Sequence, residues 1–341
     1  MAASSHNYPL RWPHGLAVLL VCCTFPMIWI GGLVTTYRAG MAVPDGFSTY
    51  GYPLFTYPLL SWLAAPWELF IEHGHRLWGY LVGFSTIAFL TATWICDRRR
   101  WMRWLAVGAL LAVVGQGVLG AMRVRFDEVL LARIHGCVGP AFFALTVALA
   151  VLTSRRWCAA EPPRMLEKGP AIQRLAIVTT ALAYLQLVLG SALRHMPVWA
   201  TPADFRLALV FHLIVAALLA GHVAWLAFRL VRYASSERAL VTPGLGLLAL
   251  LLLQLGLGLG TWIVKYGWPT GWLPAWLAPQ GQLDYVVVAE GRLQAWLTTL
   301  HVATGSLILA ASLLVAMRSL RLVRGTRSTT GQLARRLELA L

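Results

Sequence analysis

The chain has 341 residues, of which 59% are hydrophobic and 12% are charged, and its formal net charge at pH 7 is +15. A chain of this size and composition is too apolar for a water-soluble domain and is typical of an integral membrane protein. The composition therefore excludes the soluble globular classes before any motif is considered.

Eight apolar runs are long enough to cross the hydrocarbon core of a membrane, which needs roughly 20 residues in a helix. Such spans must be helical, because lipid offers the backbone no hydrogen-bond partners. The first run is predicted to be a retained helix, since no persuasive small-residue cleavage site follows it. The runs lie at residues 15–36, 72–96, 104–122, 133–153, 175–193, 207–229, 243–264 and 294–317.

Basic residues are concentrated in alternate connections. The amino terminus, segments 97–103, 154–174 and 229–238, and the tail after residue 317 hold 19 of the 28 basic residues and 5 of the 13 acidic ones. By the positive-inside rule this set is cytoplasmic, so both termini are predicted to lie inside. The high net charge then reflects topology and attraction to anionic lipid, and no nucleic-acid partner is expected.

The two longest outer connections are rich in aromatic residues, proline and glycine. They cover residues 37–71 and 265–293 and include "YGYPLFTYPLLSWLAAPW" and "KYGWPTGWLPAWLAPQG". Aromatic loops of this kind form interfacial belts, but they could equally be lids over a buried site.

A short motif recurs near the outer ends of the odd-numbered runs. "GQGVLGAMR" (115–123), "LQLVLGSALR" (185–194) and "LQLGLGLGTW" (253–262) share Q-x-x-x-G, and "MIWIGGLVT" (27–35) is a weaker fourth copy. Close helix packing alone would explain each glycine. The repetition predicts an all-α membrane protein of eight transmembrane helices, arranged as two pseudo-symmetric four-helix bundles. We place these halves at 1–158 and 175–317, with a cytoplasmic linker at 159–174 and a basic cytoplasmic tail at 318–341.

Four of the nine histidines occupy matching places in the repeat. His75, His135, His212 and His301 each lie near the outer start of an even-numbered helix, at one predicted depth. A single histidine in a membrane helix is often only a packing residue, but four matched ones indicate a function.

A small residue follows each of these histidines by four positions, on the same helix face. These residues are Gly79, Gly139, Ala216 and Gly305. A flat ligand bound by an imidazole needs such a cleared face, and histidine is a usual axial ligand of haem iron. Zinc fits less well, because a structural site needs three or four converging ligands. Repeat symmetry pairs His75 with His135 in one half and His212 with His301 in the other.

Only the first half has a carboxylate beside its histidine. Glu72 precedes His75 by three residues, whereas the equivalent positions hold Ala132, Leu209 and Thr298. Glu72 could cap its helix or pair with Arg76, or it could handle protons or stabilise positive charge beside a macrocycle.

Basic residues follow the motifs at the outer mouths, where they could hold the carboxylates of haem propionates. Ordinary snorkelling to the interface is the alternative for each. The candidates are Arg38, Arg76, Arg123, Arg194 and Lys265.

Several motifs together resemble the haem A synthase family. They are "GGLVTTYRAGMAVPD" after the first helix, "EHGHRLWG" opening the second, "RIHGCVG" in the fourth, "FHLIVA" in the sixth and "LHVATG" in the eighth. The resemblance implies an oxidoreductase that converts a methyl group of haem O to the formyl group of haem A by successive hydroxylations, for cytochrome oxidase assembly. It implies that Glu72 is catalytic, that His75 and His135 flank the substrate haem, and that His212 and His301 bind the iron of a resident haem b.

The resemblance also sets the expected partners. They are haem O, membrane lipid, haem O synthase and an electron acceptor such as a quinone, and a homo-oligomer is compatible with it. The absence of an Arg-rich leader favours the bacterial cytoplasmic membrane. Many bacterial members have an outer-loop cysteine pair, but Cys22, Cys23, Cys96, Cys137 and Cys158 cannot form one here.

Two other functions fit parts of the pattern. A dihaem b-type membrane cytochrome linked to quinol would use paired histidines, but all four here lie on one side, which disfavours an electron path across the bilayer. A haem-handling protein that does not modify haem gives no reason for Glu72 to occur in only one half. His6, His14, His195 and His222 are not expected to bind iron.

Overall fold

The computed structural model describes residues 10–159, 162–267 and 291–325. Eight long apolar helices, α1 to α8, account for most of these residues and confirm the predicted number of membrane spans. Their bounds are α1 Arg11–Thr36, α2 Trp67–Cys96, α3 Arg100–Phe126, α4 Val129–Thr153, α5 Gly169–Arg194, α6 Pro202–Tyr233, α7 Arg238–Tyr266 and α8 Arg292–Leu322.

Most helices extend beyond the apolar runs from which they were predicted. α2 begins at Trp67, directly after Pro66, and α5 begins at Gly169 with a proline in its first turn. Proline is tolerated there because the first amide groups of a helix have no partner within it. Hydropathy therefore locates the part of each helix in lipid, while caps and prolines in the interface set its ends.

Local chemistry also fixes the outer turns between helices. At the start of α6 the Thr201 hydroxyl accepts from the Asp204 amide and the Asp204 carboxylate accepts from the Thr201 amide, which is a capping box. α3 ends at Asp127, whose backbone is left-handed with φ of 49°. The chain turns there into α4 within three residues.

The helices contact one another as two rings of four. In the first half α1 contacts α2, α2 contacts α3, α3 contacts α4, and α4 contacts α1; helices α5 to α8 repeat this order. Contacts between the halves are made mainly by α8 with α1 and α4, and by α4 with α5.

Each half has its own hydrophobic core. The core of the first half includes Leu20, Phe89 and Met102, and that of the second includes Leu226 and Leu247. Large apolar side chains also lie exposed on the outer surfaces of the helices, for example Phe84, Leu111, Ile214 and Leu252. That distribution is the one expected where lipid, rather than water, surrounds the protein.

Two small β pairings lie outside the helices. Strands β1 (Ser48–Thr49) and β2 (Tyr52–Pro53) form an antiparallel pair in the outer connection before α2, which also contains a short helix at Leu59–Leu63. Strands β3 (Arg164–Leu166) and β4 (Val323–Gly325) are parallel and join the inner linker to the end of α8. In the other long outer connection, residues 268–290 lie outside the described residues. The lid interpretation can therefore be compared with the structure only for residues 37–66.

Candidate functional site

Each of the four matched histidines packs on a glycine of the preceding long helix. A Cβ atom added to that glycine would lie about 3 Å from Cε1 of the imidazole, close enough to force a shift. The separations are 2.9 Å for His75 and Gly31, 2.9 Å for His135 and Gly120, 3.3 Å for His212 and Gly190, and 3.1 Å for His301 and Gly258. These are the glycines of the recurring motif, which therefore make room for the histidine rings.

The glutamine of the motif also reaches the histidine-bearing helix. Gln116 Nε2 donates to the backbone oxygen of His135 at 2.9 Å, and Gln186 Nε2 lies 3.0 Å from Nε2 of His212. Gln254 Nε2 lies 3.4 Å from Nε2 of His301. In the first helix pair the same position is Met27, which has no amide group to offer to His75.

The three glycines that follow a histidine by four positions do not lie on the open helix face that the sequence predicts. The Cβ added to Gly79 would lie 3.3 Å from Met27 Cε, and the one added to Gly139 would lie 3.3 Å from Gln116 Nε2. At Gly305 the neighbours are Leu187 and Gln254, at 3.3 and 3.4 Å. The expectation of a cleared face needs correction here, because side chains of neighbouring helices cover these glycines.

The structure brings His212 and His301 together. Their ring centroids are 6.5 Å apart, with an angle of 57° between the ring planes. In the first half His75 and His135 lie close enough for their charges to interact. Sequence symmetry had suggested both pairings.

Several polar atoms around these histidines lack protein partners. The Nδ1 atoms of His75, His135 and His301 are buried and accept or donate no hydrogen bond among the described residues. The same is true of the side-chain oxygens of Gln116, Gln186 and Gln254. Buried polar atoms without partners are uncommon, and their repetition here points to a functional site.

No cluster of three or more His, Cys, Asp or Glu side chains suited to a metal ion occurs in the described part of the chain. Axial ligation of a haem needs only two side chains, one on each face of the macrocycle. None of the five cysteines, all of which lie within the described residues, forms a disulfide, and Cys22 is exposed.

Glu72 is almost fully buried, with 2% of its surface exposed, and both of its carboxylate oxygens are bonded. Oε1 accepts from Arg76 Nη2 at 2.7 Å in an ion pair, and Oε2 accepts from the Val43 backbone amide at 2.8 Å. Of the two structural alternatives for Glu72, pairing with Arg76 is therefore present. Glu72 does not cap the helix, because α2 begins five residues earlier.

Arg76 connects the outer loop to α2. Its Nη1 donates to the backbone oxygens of Asp45 and Ser48, at 2.6 and 2.7 Å, and its Nη2 donates to that of Val43 at 3.1 Å. These bonds and the ion pair occupy both terminal nitrogens. In this arrangement Arg76 holds the loop, and it is a poorer candidate for a propionate than the other basic residues.

Asp45 gives that loop its turn. Its Oδ2 accepts from the Gly51 amide at 2.7 Å and from the Ser48 hydroxyl at 2.9 Å. The two hydrogen bonds, with that from Gly51 first, hold the pKa of the Asp45 carboxyl below its ordinary value.

His73 is a loop contact that the sequence motifs did not reveal. It is 2% exposed, its Nδ1 lies 2.9 Å from the Thr49 hydroxyl, and its ring packs against Tyr57 and Trp62, with centroids 5.1 and 5.3 Å away. The aromatic residues of the outer loop were the feature of the sequence that could have indicated this contact.

Basic side chains meet at the outer ends of the helices. Arg194 Nη2 donates to the Gly32 backbone oxygen and to the Thr36 hydroxyl, both at 2.6 Å, which ties α5 to α1. Arg123 is an electrostatic neighbour of Arg194 and of Glu72, and Lys265 is one of Arg194 and of Arg38. This region thus contains several positive side chains and one carboxylate, that of Glu72. The excess of positive charge would favour the binding of an anionic group.

His195 follows directly after α5, outside the membrane span. Burial, together with Arg194 and other nearby basic groups, lowers the pKa of His195 to about 4. Its backbone oxygen accepts from Arg133 Nε at 2.8 Å. Nδ1 of His14 lies 3.3 Å from the Thr153 hydroxyl, and Nδ1 of His222 lies 2.9 Å from the Leu218 backbone oxygen.

These features define a class: a multi-pass membrane protein in which each helix pair carries a histidine packed on a glycine. Residues 60–205 match the model of the COX15-CtaA family, described as cytochrome oxidase assembly protein. The match confirms, over this segment, the resemblance to the haem A synthase family. The segment includes Glu72, His75 and His135, and it ends before His212. No curated protein sequence matches the chain significantly.

We predict that Arg76→Gln loosens the outer loop, because the variant loses donors to three backbone oxygens and to Glu72. Hydrogen bonds to a charged group contribute about 1.5–3 kcal/mol. Hydrogen exchange should therefore become at least about tenfold faster for amides in residues 43–51.

The matched control is Arg125→Gln, an exposed arginine at the outer end of α3. It should leave exchange in residues 43–51 unchanged. Equal protection in the Arg76 variant and the unchanged protein would show that Arg76 does not hold the loop.

Proposed function

We propose that this protein is a haem A synthase, which oxidises a methyl group of haem O to the formyl group of haem A for cytochrome oxidase. In each of two hydroxylations a hydroxyl group from water would replace a hydrogen of the methyl carbon, and two electrons and two protons would go to an acceptor such as a quinone. The resulting geminal diol would then lose water to give the aldehyde. The observation that carries the proposal is the difference between the two histidine pairs: among the described residues, a buried carboxylate lies beside the pair of the first half and none lies beside that of the second.

The second histidine pair fits a resident haem b. The ring centroids of His212 and His301 lie 6.5 Å apart, which is close enough for both imidazoles to bind one iron. His212 and His301 would hold the iron of this haem, which would supply one-electron transfer when bound.

The glutamines of the motif suit the support of such ligands. A histidine that binds a metal usually donates its second ring N–H to an oxygen. A half-turn of the Gln186 amide would present its unpartnered oxygen to Nδ1 of His212, which now lies 3.2 Å from Nε2 of the amide. Gln186 is therefore a positioning residue for His212.

The first pair lacks this support at His75, because Met27 replaces the glutamine. An imidazole without an acceptor for its second N–H is a weaker ligand and is less firmly oriented. Weaker binding suits a macrocycle that must leave after reaction, so His75 and His135 would flank the substrate haem O.

Glu72 would act from its fixed place beside His75. Each carboxylate oxygen has two acceptor sites and uses one in the structure, so each can still accept a proton or face a developing positive charge. Arg76 and the Val43 amide keep the carboxylate from turning away. The ion pair with Arg76 partly neutralises the charge of the Glu72 carboxylate. The effect of Glu72 would therefore depend more on the position of the carboxylate than on the size of its charge.

The basic residues at the outer ends would bind the haem propionates. Arg123, Arg194, Lys265 and Arg38 are the candidates that the geometry favours, since Arg76 is bonded to the loop. Guanidinium groups suit carboxylates because their paired N–H groups match the two oxygens.

The two rings of helices would be pseudo-symmetric halves at 1–158 and 175–317, one for the substrate and one for the resident haem. The inner linker at 159–174 and the tail at 318–341 would be cytoplasmic, with both termini inside a bacterial cytoplasmic membrane. Haem O synthase would supply the substrate, and a quinone would accept electrons.

The decisive test is extraction and mass analysis of haems from cells that make haem O, with and without this protein. Haem A, or its hydroxylated precursor, should form only with the intact protein. Loss of an acid–base group typically lowers a rate by about 10²–10⁴-fold, so we expect a fall in haem A of at least about 100-fold in Glu72→Gln.

Two control variants separate chemistry from loop anchoring. Glu68→Gln removes an exposed carboxylate one turn earlier in α2 and should retain activity. Arg76→Gln loosens the loop and removes one of the two bonds to Glu72, but it retains the carboxylate and its bond from the Val43 amide. It should therefore reduce haem A less than Glu72→Gln. Unchanged haem O with normal haem b binding in the intact protein would instead favour a dihaem cytochrome or haem-handling protein.

A second prediction concerns the glycine beside His301. In Gly258→Ala the new methyl group would lie 3.1 Å from Cε1 of His301 and should displace the ring. We expect at least a twofold loss of bound haem b, measured by its optical spectrum per mole of purified protein.

Gly256→Ala provides the matched control in the same helix, because a Cβ atom there would have no neighbour within 4 Å. It should bind haem b normally. Equal haem content in both variants would show that the ring does not depend on the glycine.

A further inference from the structure

A cavity of about 430 Å³ lies at the inner end of the helices, where the two halves meet. α1 contributes Val18 and Val21 to its wall, α4 contributes Val147 and Val151, and α8 contributes Leu314. Its volume falls in the range of ordinary ligand sites. The apolar part of the wall could take a hydrocarbon chain.

The polar part of the cavity is basic. Arg156, Arg318 and Arg321 line it, and among the described residues no acidic side chain does. Arg318 and Arg156 are electrostatic neighbours of like charge. Bringing them together costs free energy unless an anion lies between or beside them.

The arginines keep donors for such an anion. Arg318 Nη1 donates to the Ala239 backbone oxygen at 2.9 Å, and Arg321 Nη2 donates to that of Ala159 at 2.8 Å. A guanidinium has five N–H groups, so these bonds fix the side chains while leaving further N–H groups for a ligand.

This cavity is far from the four matched histidines. In α8, His301 and Arg318 are separated by 17 residues, or about 26 Å along the helix axis. α1 has the same offset between His14, which lines the cavity, and Gly31. The cavity is thus a separate site and does not depend on the proposed reaction.

We propose that this cavity binds one anionic phospholipid. The phosphate would be held by Arg156, Arg318 and Arg321, and an acyl chain would lie along the valines of α1 and α4. Basic pockets between membrane helices on the cytoplasmic side suit anionic headgroups, and the charge distribution of the chain places this end inside. Because α1, α4 and α8 all contribute, the lipid would join the two halves of the protein.

The test is native mass spectrometry of the purified full chain with phosphatidylglycerol or phosphatidylcholine added. We expect one tightly bound phosphatidylglycerol, with an affinity at least tenfold above that for phosphatidylcholine. Arg156→Gln and Arg321→Gln should each reduce that preference at least about threefold. Ala150→Trp, which fills the cavity wall, should abolish the tight site while the variant keeps its helical circular dichroism.

Arg98→Gln is the matched control, an exposed inner-side arginine that does not line the cavity. It should retain the lipid preference. An equal loss in Arg98→Gln would overturn the site in favour of diffuse attraction. Displacement of the lipid by millimolar inorganic phosphate, or binding of a quinone analogue in its place, would also overturn the proposal.

Discussion

The close approach of a histidine ring to a bare glycine on the preceding helix is the contact on which the outer half of this molecule depends. It occurs four times, with His75, His135, His212 and His301 each facing a different glycine. A side chain larger than hydrogen would push the ring or the helix away. The spacing of the helix pairs and the position of the imidazoles are therefore set by one recurrent contact.

The surroundings of this contact differ between the two halves. His212 and His301 lie with their rings 6.5 Å apart and have a glutamine beside each. His75 has a methionine in place of the glutamine and a buried carboxylate one turn before it. That carboxylate is bonded to Arg76 and through it to the outer loop. Under the proposed function the second half would retain its ligand, and the first half would hold one beside a charged network.

Much of this could be predicted from the sequence, because repetition and hydropathy act over long segments. The number of helices followed from apolar runs, and the matched histidines followed from alignment of the four repeats. The family resemblance is confirmed over residues 60–205, where the family model matches; the roles of Glu72, His75 and His135 stay predictions.

Other features depended on packing that a sequence pattern does not contain. The glycines after the histidines looked like open faces, yet Met27, Gln116 and Gln254 lie against three of them. Arg76 looked like a propionate ligand, but backbone oxygens of a loop about 30 residues away in sequence take its donors. His73 likewise gave no signal of its contact with Thr49. Long-range contacts with irregular loops are the part that periodicity cannot supply.

If the histidines act in pairs within each half, the optical and electron paramagnetic resonance spectra of purified single variants at the four histidines will show it. His212→Ala and His301→Ala should each remove the spectrum of the same resident haem, whereas His75→Ala and His135→Ala should leave it intact. Loss of one and the same haem in His75→Ala and His301→Ala would contradict the pairing.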